Sequence, residues 1–170
     1  MSALEKRLEA VEAHLDINQT TTRYCRALDW LDESLLRTCY TVNAFVDYGF
    51  YKGDVEGFYA AVMDVERETM HRQHFLSNLA IEIDGDKAEV ECYGIATSTY
   101  DGANLNFFSG RYHNSFEKLG ATWLISRSLY ILDYNWAGEV SEIGGALDKL
   151  QSGVGLTCES KLYRTLHKSP

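Results

Sequence analysis

The sequence predicts a single α+β domain in which a curved antiparallel sheet folds over helices. Amphipathic helical spacing occupies the first part of the chain, long alternating segments joined by turn residues occupy the middle, and no proline-rich or Gly/Ser-rich linker separates them. A length of 170 residues suits one domain with a tail. We place the domain at residues 1–137 and the tail at 138–170. The tail is expected to hold a short helix near 145–150 and to cover a pocket or a neighbouring subunit.

Three further helices are predicted from their caps and apolar spacing. Ser2 and Glu5 form a capping box, which begins one long helix or two consecutive helices ending around Asp29. A short helix is expected over residues 33–39. Asp54 is a good N-cap for a third helix, since apolar residues follow it at helical intervals.

The strands are predicted from β-formers and turn residues. Residues 44–51 are rich in strand formers, and Lys52-Gly53 is expected to be a turn. After the third helix, turns are expected at Asp84–Asp86, Asp101–Asn104 and Leu119–Gly120. They separate four long strands in consecutive hairpins, over residues 69–83, 88–100, 105–118 and 121–134.

The composition argues against several classes of function. A net charge of −9 disfavours nucleic acid and anionic membranes, because both need a basic face. The N-terminus has no signal-like apolar region, and no apolar run reaches transmembrane length. The four cysteines are scattered without a CxxC pair, which suits a reduced compartment. We therefore expect a cytoplasmic protein that binds neither nucleic acid nor membranes.

The aromatic content is unusually high, with eleven tyrosines, seven phenylalanines and three tryptophans. These residues either pack the core and interfaces or line a pocket for an aromatic or alicyclic ligand. The chain has no G-x-S-x-G elbow and no phosphate-binding glycine loop. Any chemistry is therefore expected to need no cofactor.

Two ionisable residues are candidates for acid–base chemistry. Asp29 ends an apolar helix, where a partly buried carboxylate needs a partner. His74 lies where the chain enters the sheet, and its imidazole can exchange a proton near neutral pH. A carboxylate on the other ring nitrogen would fix the tautomer. Purely structural roles remain open for both residues.

A metal site is not expected here. His71 and His74 are three residues apart in a predicted strand, so they should point to opposite faces of the sheet. A third ligand would have to come from Asp29 or His113.

Several motifs occur in a familiar order along residues 5–136. Tyr24 and Asp29 close the first long helix, and His74 precedes Ser77-Asn78-Leu79. The later motifs are Gly110-Arg-Tyr112, Phe116-Glu-Lys118 and Trp123. Together they resemble the SnoaL-like branch of the nuclear transport factor 2-like superfamily. The resemblance implies a cone-shaped α+β barrel.

The resemblance also implies roles for particular residues. The branch includes dehydratases, a dehydrochlorinase and cofactor-free lyases of lignin-derived aromatics, and an aspartate and a histidine form the proton-abstracting dyad. These roles fall on Asp29 and His74, and that of a pocket tyrosine falls on Tyr24. Five residues on a helix are about 140° apart. Tyr24 and Asp29 therefore share a cavity only if the helix ends near Leu28 or both flank the rim. The predicted substrate-binding residues are Tyr48, Tyr100, Phe108, Tyr112 and Leu132.

One position departs from the family pattern. Some members carry an arginine in the last strand that polarises the leaving group. The equivalent position here is Leu132 in the dehydratase comparison and Ser128 in the dehydrochlorinase comparison. Arg127 is adjacent, but it should point to the other face of a strand. A tyrosine is the candidate substitute, drawn from Tyr48, Tyr100 and Tyr112.

The sequence thus predicts a cofactor-independent lyase that acts on a small hydrophobic, cyclic or aromatic substrate. His74, oriented by Asp29, would abstract a proton, and water or a small carbonyl such as formaldehyde would leave. The alternatives are an isomerase or cyclase with the same dyad and a non-catalytic module that binds a hydrophobic ligand. We also expect a homo-oligomer, because an open curved sheet leaves a face to cover. The family resemblance implies a dimer or a trimer, and we favour the trimer.

Overall fold

The computed structural model describes residues 2–140 and 149–164, and it confirms the α+β class. The three helices lie in the first half of the chain, with β1 and β2 between α2 and α3, and they pack on one curved six-stranded sheet of order β2-β1-β6-β5-β4-β3. The helices are α1 (Ala3–Asp29), α2 (Glu33–Arg37) and α3 (Val55–Arg67). The strands are β1 (Tyr40–Asp47), β2 (Lys52–Asp54), β3 (His71–Asp84), β4 (Lys87–Thr99), β5 (Asn104–Leu119) and β6 (Thr122–Glu139).

The helices begin where the sequence predicts. The Ser2 hydroxyl accepts from the Glu5 amide at 3.2 Å, and the Glu5 carboxylate accepts from the Ser2 amide at 2.6 Å. α1 continues from this capping box as one unbroken helix of 27 residues. α3 is capped by Asp54, whose Oδ1 accepts from the Gly57 amide at 2.8 Å.

The first strand and the turn after it were predicted wrongly. β1 begins at Tyr40 and ends at Asp47, and Lys52–Asp54 pairs with it as strand β2 rather than forming a turn. The turn lies at residues 48–51, where the Tyr48 amide donates to the Tyr51 carbonyl at 2.9 Å. Gly49 has φ +78° there, a conformation that glycine tolerates and a strand does not contain.

The sheet is mixed, which corrects the prediction of a purely antiparallel sheet. The hairpins from β3 to β6 are antiparallel as expected, but β1 runs parallel to β6. β6 also extends to Glu139, five residues beyond its predicted end. A parallel pair between strands that are distant in sequence has no turn between them. The sequence pattern therefore does not predict this pairing.

The core between the helices and the sheet is rich in aromatic side chains. Tyr48 packs edge-on against Phe58 and Tyr112, with ring centroids 4.9 and 5.7 Å apart. Tyr24 packs against Tyr112 in the same way at 6.0 Å. Much of the high aromatic content is therefore core packing.

The described part of the tail, residues 149–164, lies against the end of α1. The Cys158 amide donates to the Trp30 carbonyl at 2.6 Å, and the Tyr163 hydroxyl donates to Asp32 Oδ2 at 2.5 Å. Most of the helix predicted at 145–150 falls outside the described residues. No helix in the part of the chain that the structure describes has the length and apolarity needed to cross a bilayer.

Candidate active site

His74 and Asp29, the two candidate acid–base residues, are in direct contact. His74 lies near the start of β3, and Asp29 is the last residue of α1. His74 Nδ1 is 2.8 Å from Asp29 Oδ1, and the two side chains are 9% and 23% exposed. An ionised carboxylate can only accept, so Nδ1 carries the hydrogen. This leaves Nε2 as the basic nitrogen of the neutral imidazole.

His74 lines an interior cavity of about 500 Å³, a size typical of small-molecule sites. Tyr24 lies on its wall. Every residue predicted to bind substrate is also on the wall: Tyr48, Tyr100, Phe108, Tyr112 and Leu132. The structure thus brings the predicted residues together, and their roles in binding and catalysis stay predictions.

Asp29 does not line this cavity. Tyr24 and Leu28, four residues apart on α1, face it, and Asp29 approaches His74 from behind. Asp29 instead borders a separate cleft of about 500 Å³ together with His71. The angle between positions 24 and 29 on the helix is therefore compatible with the site, because only Tyr24 needs to reach the cavity.

Glu66, near the end of α3, is a cavity residue that the sequence analysis missed. The residue is 9% exposed, and its Oε1 lies 3.5 Å from His74 Nε2. The buried positions of α3 are Val55, Phe58, Tyr59, Val62, Met63 and Glu66. An acid that continues such an apolar stripe is the signal that could have revealed it.

Burial and neighbouring charges act on both groups. Burial raises the pKa of Glu66, and the positive charges of His74 and Arg72 offset this only in part. Burial by itself lowers the pKa of His74. The hydrogen bond to Asp29, together with the charge of Asp29 and that of Glu66 when it is ionised, outweighs burial, and the pKa of His74 is raised above its ordinary value.

Arg72 ties together the backbone segments that carry the two carboxylates. Its side chain is buried, with Nε 3.1 Å from the Glu66 carbonyl and Nη1 3.3 Å from the Asp29 carbonyl. Nη1 also donates to the Leu156 carbonyl at 3.0 Å, so the tail contributes an acceptor. Arg72 therefore fixes the relative positions of α1, α3 and the tail around His74.

Tyrosine hydroxyls lie on the cavity wall, and those that are not bonded elsewhere can donate to a ligand. Burial raises the pKa of Tyr24, Tyr48 and Tyr112, so all three stay protonated at neutral pH. The Tyr48 hydroxyl is 2.9 Å from Ser128 Oγ, which donates to Asn114 Oδ1 at 2.6 Å. Tyr48 is thus engaged by Ser128.

The other positions considered for a leaving-group helper lie at the rim or outside the cavity. Leu132 is 48% exposed at the rim. Arg127 is exposed and does not line the cavity. His71 borders the separate cleft and His74 the cavity, so the two histidines face opposite sides. Within residues 2–140 and 149–164, no three His, Cys, Asp or Glu side chains are grouped as metal ligands.

The fold and the site define a class of protein: a small α+β domain with a curved sheet, an apolar interior cavity and an ionisable pair in its wall. The chain belongs to the SnoaL-like domain family, whose model matches residues 9–128. This confirms the family resemblance given by the sequence motifs. No curated protein matches the chain in sequence.

Solved structures share the fold at low sequence identity. A candidate scytalone dehydratase from Novosphingobium aromaticivorans superposes with a TM-score of 0.68 at 17% identity, over 81% of this chain and 93% of that one. A type 2 hexachlorocyclohexane dehydrochlorinase (LinA) gives 0.63 at 18% identity, over 88% and 100% of the two chains. An NTF2-like protein with a cystatin-like fold, also from N. aromaticivorans, gives 0.66 at 22% identity, over 76% and 88%. At these identities the likeness establishes the fold.

Proposed function

We propose that the protein is a cofactor-independent lyase that eliminates water, or a small carbonyl such as formaldehyde, from a hydrophobic cyclic or aromatic substrate. The observation that carries the proposal is the 2.8 Å contact between His74 Nδ1 and Asp29 Oδ1 at the wall of an apolar cavity. Fold alone would not carry it, because the same fold can serve unrelated functions.

The proposed reaction begins with proton transfer to His74. For loss of water, Nε2 takes a C–H proton, the C–H electron pair becomes the new double bond and the C–O bond breaks. For loss of a carbonyl, Nε2 takes an O–H proton, the O–H pair becomes the C=O bond, the C–C bond breaks, and its electron pair takes a proton back from the imidazolium. Asp29 stabilises the imidazolium through its carboxylate, and Tyr24 donates a hydrogen bond to the leaving oxygen or to a developing oxyanion. Placed acid–base groups of this kind contribute about 10²–10⁴-fold, and positioning in a water-poor cavity supplies the rest.

The cavity wall favours a ring-shaped, hydrophobic substrate. Phe108, Leu28 and Val62 give it apolar surface, and tyrosine hydroxyls give it a few hydrogen-bonding points. The described cavity lining has no arginine, so a tyrosine hydroxyl takes the part of polarising the leaving group. Two solved structures of this fold carry the names of elimination enzymes, a dehydratase and a dehydrochlorinase.

The test is a screen of hydroxylated aromatics and alicyclic alcohols with the purified protein, followed by His74→Ala. The variant is expected to lose about 10²-fold or more in kcat, since it has no proton acceptor. His113→Ala is the matched control, because His113 is 49% exposed and paired with Glu91 outside the cavity. If His74→Ala keeps the wild-type turnover, the mechanism is wrong.

The same screen separates the alternative functions. Solvent deuterium in a product of unchanged formula would identify an isomerase or cyclase, which begins with the same proton transfer. Saturable binding of a hydrophobic compound without any product would identify a binding module.

We also propose that the protein forms a homo-oligomer, a trimer, through the outer face of the sheet. Ile95 of β4 and Tyr134 of β6 are on the same face of the sheet, because each is the in-register partner of Ser109 on β5. They are 39% and 61% exposed, and Trp136, two residues further on, is 55% exposed. Light scattering during gel filtration should give the mass of a trimer, and Trp136→Asp should lower it. A monomeric wild-type protein would refute the proposal.

A further inference from the structure

The carboxyl group of Glu66 is buried in the cavity wall, and the one basic side chain close to its oxygens is His74 among the described residues. Its side chain is 11% exposed, and no described residue donates a hydrogen bond to its oxygens. Arg72, the nearest guanidinium, binds the Glu66 backbone carbonyl rather than the carboxylate. A buried carboxyl is costly unless it is paired or protonated. A buried carboxyl that lines a cavity beside a histidine is a candidate functional group.

We propose that Glu66 is a second catalytic residue, the acid that protonates the leaving oxygen while His74 acts as the base. The inference rests on the proposed lyase function and assigns the proton that the departing hydroxyl needs. The geometry supports it, because Oε1 of Glu66 and Nε2 of His74 are 3.5 Å apart and both side chains line the cavity. One substrate can therefore contact both groups at neighbouring atoms.

The proton balance closes within the site. In a dehydration, Nε2 removes the proton from carbon, the C–H electron pair becomes the second bond of the alkene, and the C–O bond breaks. The Glu66 carboxyl proton moves to the departing oxygen, which leaves as water. This step produces imidazolium and carboxylate 3.5 Å apart, and the Nε2 proton then passes to Oε1. Both groups return to their starting states without a proton from solvent.

The starting protonation states follow from the neighbours of the two groups. Glu66 on α3 faces His74 and Arg72 from β3 and Asp29 from α1. Burial is the dominant influence and favours the neutral carboxyl, as an acid requires. The Nδ1 hydrogen of His74 is held by Asp29, so the neutral ring presents its lone pair at Nε2.

Glu66→Gln tests the acid role, because glutamine keeps the shape of the side chain and cannot supply the proton. The readout is turnover of a hydroxyl substrate from the screen and of the same skeleton with chloride in place of the leaving hydroxyl. Turnover of the alcohol should fall about 10²-fold or more, whereas that of the chloride should change by less than about tenfold, since chloride leaves unprotonated. Glu68→Gln, an exposed position on the same helix end, is the matched control and should match the wild type.

The outcomes separate this proposal from the lyase function itself. His74→Ala should lose turnover of both substrates, and if it does not, the lyase mechanism fails. Wild-type turnover of the alcohol by Glu66→Gln, or equal losses on both substrates, would overturn only the role of Glu66.

A second measurement needs no substrate. The ¹³C shift of the Glu66 carboxyl, assigned by its loss in Glu66→Gln, should report a protonated group at neutral pH. An ionised carboxyl from pH 5 upwards would also overturn the acid role. Circular dichroism of both variants checks that a loss of turnover is not a loss of fold.

Discussion

Asp29→Asn is the substitution that most directly tests how the imidazole is held. Asparagine keeps the size of the side chain and removes its charge, and its amide can either accept from Nδ1–H or donate to Nδ1. A donating amide would shift the hydrogen to Nε2 and leave no base in the cavity. Even an accepting amide stabilises imidazolium less well than a carboxylate does.

The size of the expected loss in kcat follows from the strength of the hydrogen bond between Asp29 and His74. A hydrogen bond to a charged group contributes about 1.5–3 kcal/mol and a neutral one about 0.5–1.5 kcal/mol. The contact is short, at 2.8 Å, and the carboxylate is partly exposed, so we expect a loss of about 1–2 kcal/mol. This corresponds to about a 5–30-fold lower kcat if the amide accepts, and to a larger loss if the tautomer changes.

Two measurements read the result. Turnover on the hydroxyl substrate gives the loss in kcat, and ¹⁵N spectra of the imidazole give the position of the hydrogen, with the His74 signals assigned by their absence in His74→Ala. Asp133→Asn is the control, because Asp133 pairs with Arg111 at 3.1 Å outside the cavity. Wild-type turnover by Asp29→Asn, together with an unchanged tautomer, would refute the orienting role.

Three further predictions concern the other parts of the site. Tyr24→Phe should fold normally and lower kcat by about 10²-fold, because it removes a hydroxyl hydrogen-bond donor from the cavity. An unchanged kcat would show that Tyr24 only packs against its neighbours. Arg72→Met should lower the free energy of unfolding by on the order of 3 kcal/mol in urea titrations, since it removes the donor to the buried Thr69 carbonyl and to the partly buried Asp29 and Leu156 carbonyls; a loss below about 0.5 kcal/mol would contradict this. The raised pKa values of Glu66 and His74 mean that the folded state binds more protons. The free energy of unfolding should therefore fall as pH rises from about 4.5 to above 6.5, which are the ordinary pKa values of glutamate and histidine. The fall should be smaller in Glu66→Gln. Parallel pH curves of the two proteins would refute that assignment.

Most of the fold could be predicted because its signals are local. A capping box, an Asp N-cap and turn residues each fix a few consecutive residues, and they gave the correct starts of α1 and α3 and the correct turns of the long hairpins. The predictions failed where local signals mislead. Aromatic strand formers continue through the turn at residues 48–51, and only the φ of Gly49 shows that the strand has ended. The parallel pairing of β1 with β6 depends on contacts between distant segments.

The candidate site was predictable in part for the same reason. Asp29 and His74 could be selected because each ends or begins an element and has the right chemistry. The place of Glu66 in the apolar stripe of α3 can be read from the sequence, but the side chain that it faces cannot. His74 belongs to the next element, and their 3.5 Å approach exists only in the folded chain.

The site is assembled at a junction of three elements, and this explains why one buried arginine matters to it. Asp29 comes from the end of α1, Glu66 from the end of α3 and His74 from the start of β3. Helix ends have carbonyls without partners inside the helix; Arg72 donates to that of Asp29 and, together with Thr69, to that of Glu66. The same side chain therefore completes two helix ends and sets the distance between the carboxylates that flank the imidazole. A substitution at Arg72 should consequently reduce turnover as well as stability, even though the guanidinium binds backbone carbonyls and not the carboxyl groups that transfer protons.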